Sequence, residues 1–203
     1  RAALFSLPLL LSQVAVTQLQ SDAGLTPLSA AVAAEDKPKD TRETRRTPAL
    51  RNKVYEKLAE AQVAAEAKDL AGAQKVLDGM IAAGGKKALN SYELANVYNL
   101  YAFIYYSRED YRNALKAYEN VVSQPDIPLA MEINTRYTIA QLYFVQEDWK
   151  RGVDALLKWF DMTETPNASA YVLLSQGYYQ MKDYNKSLFN VEKAISMYDE
   201  KGK

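Results

Sequence analysis

From about residue 49 onward, apolar side chains recur at spacings of three and four residues, which places them on one face of a helix. Each such segment is followed by an Asp, a bulky residue, two further residues and a small residue. This motif occurs at residues 69–73, 110–114, 148–152 and 183–187. Its small residues stand at 73, 114, 152 and 187, so the steps are 41, 38 and 35 residues. Self-similarity over tens of residues is typical of a solenoid of repeated units.

A second small residue precedes the first by twelve positions in every copy. These residues are Ala61, Ala102, Ala140 and Ser175. Asp is a good first residue for a helix, because its carboxylate accepts hydrogen bonds from the free N–H groups of the first turn. The pattern therefore predicts helical hairpins in which Asp opens the second helix and paired small residues let the two backbones approach closely.

Glycines and prolines between the periodic segments mark where one hairpin ends and the next begins. Gly84 and Gly85 follow the first hairpin, Pro125 and Pro128 follow the second, and Pro166 follows the third. The predicted hairpins span residues 49–84, 91–124, 129–163 and 167–199. We therefore expect an all-α fold built as an α-solenoid.

The copies resemble the tetratricopeptide repeat (TPR), which has a bulky residue, a Leu-Gly pair and a Tyr in its first helix, then Ala, an aromatic residue and Ala in its second. The copy that begins at Ala95 has in these positions Tyr98, Tyr101, Ala102, Tyr105, Ala114, Tyr118 and Val121. Copies from Ile133 and Ala168 match similarly, and the copy from Val54 is degenerate. The resemblance implies about four TPR-like hairpins in a right-handed superhelix. An ordinary helical bundle is the alternative.

The chain of 203 residues contains no His and no Cys, and its 25 basic side chains balance 25 acidic ones. Imidazole bases, thiol nucleophiles, disulfides and His or Cys metal ligands are therefore excluded. The carboxylate pairs Glu109/Asp110 and Glu147/Asp148 stand at predicted turns, where capping accounts for the Asp. We expect no catalytic residue, no metal site and no cofactor, and the balanced charge gives no reason to expect nucleic acid as a partner.

Residues 2–16 form an apolar segment with the length of a secretory signal peptide's hydrophobic part, about 15 residues, which is short for a bilayer span. Small-x-small cleavage sites end at Ala33 and Ala34, and Ser21-Asp22-Ala23 is a competing site. We expect a signal peptide at residues 1–34 and a periplasmic protein. A retained N terminus that associates with the membrane is the alternative. Residues 35–48 are charged and predict a solvated linker, which leaves residues 49–203 as the repeat domain.

Residues 200–203 end the given sequence directly after the fourth predicted second helix, without a polar capping helix. Solenoids usually need such a cap, because the last repeat otherwise exposes an apolar face. We expect truncation of further repeats. The alternative is a face covered by another chain, which includes self-association through the last hairpin.

In the TPR family the first helices line a concave groove, and ligands contact their positions two, five, nine and twelve. By this resemblance the candidate protein-binding residues are Asn96, Asn99, Phe103, Tyr106, Asn134, Tyr137, Gln141, Phe144, Ser169, Val172, Gln176 and Tyr179. None of them is charged, and their amide and aromatic groups suit a polypeptide segment. The alternative for the aromatics, above all Phe144 and Tyr179, is packing between adjacent first helices.

The whole chain is also similar to secreted bacterial TPR proteins that accompany TonB–ExbB–ExbD energy-transduction systems. This resemblance implies a cell-envelope scaffold that is an accessory of a TonB-dependent transport system, with TonB-, ExbB- or ExbD-type proteins as partners. A periplasmic scaffold for outer-membrane protein assembly or cell-wall synthesis is the alternative.

Overall fold

A computed structural model of the chain describes residues 48–125 and 127–201. The predicted signal peptide and nearly all of the predicted linker lie outside the described residues. The described residues contain helices and no strand, so the prediction of an all-α fold is confirmed. The helices are α1 (Asn52–Glu66), α2 (Leu70–Ala82), α3 (Ser91–Ser107), α4 (Tyr111–Val122), α5 (Leu129–Val145), α6 (Trp149–Met162), α7 (Ala168–Gln180) and α8 (Tyr184–Lys201), with a 3₁₀ turn at Gly85–Lys87.

The same tight turn joins the two helices of every hairpin. An Asp side chain accepts a hydrogen bond from the backbone N–H three residues later, at 2.8–3.3 Å, and so caps the second helix. The N–H of the same Asp donates to a carbonyl of the first helix five residues earlier, at 2.9 Å in each turn. The residue before each Asp has a positive φ of 58–64°; these residues are Lys68, Glu109, Glu147 and Lys182. The Asp therefore ends one helix and begins the next.

Seven of the eight paired small residues are buried where the helices of each hairpin meet, and Ser175 is half-buried. Ala61 and Ala73 in the first hairpin are fully buried, as are Ala102 and Ala114 in the second. In the fourth hairpin the Ser187 hydroxyl donates to the backbone carbonyl of Ser175 at 3.0 Å, which satisfies a polar group at the closest approach. The close packing predicted from the sequence pattern is confirmed.

The hairpins stack in chain order, because each second helix packs against the first helix of the next hairpin. The first helices also approach one another: α1 lies beside α3 and α5 lies beside α7, whereas α3 and α5 are less close. In a stack of layers that bends, the inner side is the one on which neighbouring layers lie closest. The first helices therefore line the inner surface of the solenoid.

One core cluster joins the first two hairpins to α5, and another joins the third and fourth. Phe144 of α5 belongs to the second cluster and is 6% exposed. A Cβ atom on Gly152 would lie 3.0 Å from its ring, and a Cβ atom on Gly177 would lie 2.8 Å from it and 2.4 Å from Val153. The two glycines thus make room for this ring between the third and fourth hairpins.

Gly177→Ala is expected to lower the free energy of unfolding by about 1–2 kcal/mol, because the added methyl would overlap a stiff Val153 and the Phe144 ring. Gly79→Ala in α2 is the matched control, since nothing lies within 4 Å of a Cβ atom there. That variant should raise the free energy of unfolding by about 0.5–1 kcal/mol through helix propensity. Equilibrium urea unfolding measures both changes. If both variants changed the free energy of unfolding in the same direction, the close packing of Gly177 against Phe144 and Val153 would be contradicted.

Candidate functional site

The twelve candidate residues lie on α3, α5 and α7, and ten of them are partly or largely exposed. The two exceptions are Asn96, 7% exposed, and Phe144. The Asn96 side-chain amide donates to the carbonyl of Tyr92 in its own helix at 2.8 Å. Asn96 and Phe144 are therefore occupied within the fold and offer little surface to a partner.

Four amide side chains of the inner surface are accessible and have no hydrogen bond within the described part of the chain. Asn99 of α3 and Gln141 of α5 are half-buried, and Asn134 of α5 and Gln176 of α7 are exposed. Each hairpin from the second to the fourth supplies at least one of them. An amide group donates and accepts hydrogen bonds, so these side chains can pair with either polar group of a peptide backbone.

Three tyrosines of the inner surface pack against aromatic rings of the second helices. Tyr106 lies 5.5 Å from Tyr111, Tyr137 lies 4.6 Å from Trp159, and Tyr179 lies 5.6 Å from Tyr184, measured between ring centroids. Tyr179 is 60% exposed, so it is not buried between adjacent first helices. These contacts restrain the rings before a partner binds, which reduces the entropy lost on binding.

The inner surface carries no charge near neutral pH at the candidate positions. None of the twelve residues is Lys, Arg, Asp or Glu. Burial raises the pKa of Tyr137 to about 12, with a smaller contribution from the Tyr198 phenol. Burial, followed by the neighbouring Tyr111 phenol, also raises the pKa of Tyr106. These phenols therefore remain protonated, and the surface can offer hydrogen bonds and apolar area but no salt bridge.

An ion pair between a partly exposed arginine and a buried carboxylate, which was not predicted from the sequence, ties the first hairpin to the second. The Glu93 side chain on α3 is fully buried and accepts hydrogen bonds from Arg51 Nη2 at 2.6 Å and Nε at 2.8 Å. Its carboxylate also accepts from the N–H of Asn90 at 3.0 Å, while Asn90 caps α3 in return. Burial by itself would raise the pKa of Glu93, but the hydrogen bonds from Arg51 and Asn90 outweigh it, so the pKa is lowered.

Only half of this arrangement has a signal in the sequence. Asn90 and Glu93 form the local N-x-x-E pattern of a capping box, which is readable from residue spacing. Arg51 stands 42 residues before Glu93 and precedes α1, so no helical periodicity connects the two. The pair fixes how α1 meets α3 at the start of the inner surface.

In each carboxylate pair of the turns, the Asp acts in capping. Asp110 and Asp148 accept hydrogen bonds from the side chains and backbones of Asn113 and Arg151, respectively, and these bonds lower the pKa of both carboxyl groups. In the described ranges, no group of three or more acidic residues is placed to hold a metal ion. Over those same ranges, no helix is long and apolar enough to cross a membrane.

No protein-family model matches the chain, and no curated protein is significantly similar to it. Solved structures do match. The crystal structure of MamA matches with a TM-score of 0.59 at 13% sequence identity. The match covers 74% of this chain and 81% of the MamA chain. The apo form of RapI also has a TM-score of 0.59, at 12% identity, and this chain spans 58% of it. A further structure, MamA MSR-1 C2, has a TM-score of 0.56 at 14% identity.

MamA and RapI are TPR-type helical repeat proteins. At this level of identity the likeness concerns the fold, and it agrees with the repeat pattern, the Asp-capped turns and the buried small residues. The chain is therefore an α-solenoid of TPR-like hairpins.

Proposed function

We propose that this chain is a non-catalytic protein-binding scaffold that holds a polypeptide segment along the inner surface of its solenoid. The observation that carries the proposal is the presence of accessible amides in three successive first helices, at Asn99, Asn134, Gln141 and Gln176, with no hydrogen bond to the described residues. Polar side chains left unpaired on a surface with restrained aromatic rings are suited to a partner that brings its own donors and acceptors.

The partner segment should be uncharged where it crosses this surface. A charged side chain there would lose water without gaining a counter-ion, and such desolvation is unfavourable. Exposed Tyr179 and Val172 and half-buried Phe103 provide apolar area for the partner's own apolar side chains. The amides would then bind its backbone, so recognition depends on backbone shape and apolar spacing.

The double variant Asn99→Ala/Gln141→Ala is expected to weaken partner binding roughly ten- to a hundredfold, because each lost hydrogen bond contributes about 0.5–1.5 kcal/mol. The partner is first captured by crosslinking in envelope extracts, and its affinity is then measured by calorimetry. Asn120→Ala is the matched control, an exposed amide on the second helix α4, and it should leave affinity unchanged. The circular dichroism spectrum should be the same for all three proteins. An unaltered affinity of the double variant would move the site off the inner surface.

The proposed setting is the bacterial periplasm, and the proposed partners belong to a TonB–ExbB–ExbD system. The signal-like apolar segment at residues 2–16 and the similarity to secreted TPR proteins support this setting. N-terminal sequencing of the mature protein distinguishes a cleaved signal peptide from a retained membrane-associated segment. Deleting the protein should reduce TonB-dependent iron uptake. Unchanged uptake, with crosslinks to outer-membrane assembly or cell-wall proteins, would favour the alternative scaffold role.

A further inference from the structure

An apolar stripe runs along the outer side of the last helix. It consists of Tyr184, Leu188, Val191 and Ile195, whose spacings of four, three and four residues place them on one helical face. Tyr184 is 58% exposed, Leu188 57% and Ile195 53%. Tyr198, three residues after Ile195 and 53% exposed, extends the same face. We call this set of five residues the α8 stripe.

The corresponding positions in the two preceding hairpins are covered. Leu115 in α4 and Val153 in α6 occupy the place of Leu188, each one residue after the small residue of its copy. They are 9% and 3% exposed, because the first helix of the next hairpin packs against α4 and α6. The α8 stripe is thus a stacking surface of the solenoid whose covering layer is not among the described residues.

We propose that a second copy of this chain covers the α8 stripe, with its own α8 antiparallel to the first across a two-fold axis. Each of the four exposed side chains leaves roughly 100 Å² of apolar surface in water, which gives about 400 Å² per copy. A standard interface takes about 800 Å² from each partner, of which a little over half, about 450 Å², is non-polar. The stripe therefore supplies nearly all the apolar area that a stable pair requires.

The other end of the solenoid is a poorer match for the stripe. The exposed side of α1 carries the Lys57–Glu60 ion pair on one flank of Val63 and the Gln62–Glu66 hydrogen bond on the other, where Tyr55 also lies. Head-to-tail stacking would press apolar rings against these charges and would also continue without closing. Pairing of two α8 stripes buries apolar side chains against apolar side chains, and the assembly closes after two copies.

The polar residues beside the stripe favour the antiparallel orientation. Asn185, Glu192 and Asp199 lie along its free edge, at a spacing of seven residues. A parallel pair would set Glu192 and Asp199 against the same residues of the other copy. An antiparallel pair places Asp199 opposite Asn185, so that Glu192 at the two-fold axis is the single like-charge contact of the three, and it opposes the two helix dipoles favourably.

Sedimentation velocity on the full chain measures the first consequence. The unaltered chain should sediment as a dimer, and Leu188→Glu/Ile195→Glu should be monomeric, with a dissociation constant raised roughly a hundredfold or more by the buried charges. Because both side chains are more than half exposed, helicity should be preserved, and the thermal midpoint should fall only by the stabilisation that dimerisation adds. Val63→Glu on α1, 65% exposed, is the control and should remain dimeric. A monomeric unaltered chain, or a charged variant that stays dimeric, would overturn the proposal.

Disulfide trapping tests the orientation of the two α8 helices. The chain contains no cysteine, so only the introduced residues can form disulfides. Residues 188 and 195 are about 10 Å apart along α8, whereas a disulfide needs Cα atoms within about 7 Å. A mixture of Leu188→Cys and Ile195→Cys chains should therefore crosslink under mild oxidation, and neither variant should crosslink alone. Crosslinking of each variant with itself would indicate a parallel pair and overturn the arrangement. Neither experiment requires a bound polypeptide, so failure of the proposed function would leave both results unchanged.

Discussion

Ala140→Glu is expected to unfold the third hairpin and to lower the free energy of unfolding by more than about 4 kcal/mol. Ala140 is fully buried in the core cluster that also contains Leu156 and Trp159. A glutamate there has no room and no counter-ion, so the helices of the hairpin must separate or the carboxylate must remain protonated in an overpacked site. Both outcomes lower the free energy of unfolding.

Thermal and urea unfolding monitored by circular dichroism measure this effect. Because repeats in a solenoid stabilise mainly their neighbours, helicity should be lost first from the third and fourth hairpins, which share the affected cluster. Val145→Glu, on the same helix but 39% exposed, is the control and should change the free energy of unfolding by less than about 0.5 kcal/mol. A melting curve for Ala140→Glu like that of the control would contradict the close-packing assignment.

The repeat architecture was predictable because its signals are local. Each Asp caps a helix through a bond to a residue three positions later, and each pair of small residues is separated by one hairpin turn. The same short interactions act in every copy, so they leave the same trace in the sequence. The non-glycine residues with positive φ leave no such trace. Glu109 and Glu147 occupy a conformation that usually favours glycine, and the two hydrogen bonds of the Asp that follows hold them there.

The candidate site was predictable to a smaller extent, because burial depends on how one hairpin meets the next. Positions nine and twelve of a first helix are neighbours on the same face, yet Gln141 is accessible while Phe144 fills the gap made by Gly152 and Gly177. That distinction requires the position of α7, which no pattern within α5 contains. Asn96 likewise becomes occupied by its own helix. The sequence pattern identifies which helices line the inner surface. Only the packing of the hairpins shows which residues of these helices are accessible and which are buried between hairpins.

Arg51→Ala is expected to lower the free energy of unfolding near pH 7, because it leaves the buried Glu93 carboxylate without its cation. Lys150→Ala is the control: it removes an ion pair with Asp154 that is exposed on both sides, and such pairs contribute about 0.2–1 kcal/mol. Urea unfolding of the three proteins at pH 7 measures the difference. Equal effects of the two variants would show that the Arg51–Glu93 pair does not fasten the hairpins.

The pH dependence of the same experiment follows from the lowered pKa of Glu93. A carboxyl group whose folded-state pKa lies below its ordinary value of 4.5 stabilises the fold fully above that value. The stabilisation is lost as the pH falls through the lowered folded-state pKa, since the protonated group no longer attracts Arg51. The gap between the unaltered chain and Arg51→Ala should therefore shrink as the pH falls, because burial without Arg51 favours protonated Glu93 in the variant, whereas the unaltered chain keeps its charged pair until the pH reaches the lowered pKa. Glu93→Gln keeps the shape of the side chain and removes its charge. In a Glu93→Gln background, the difference in unfolding free energy caused by Arg51→Ala should no longer depend on pH, because Arg51 then has no titrating partner at the junction of the first two hairpins.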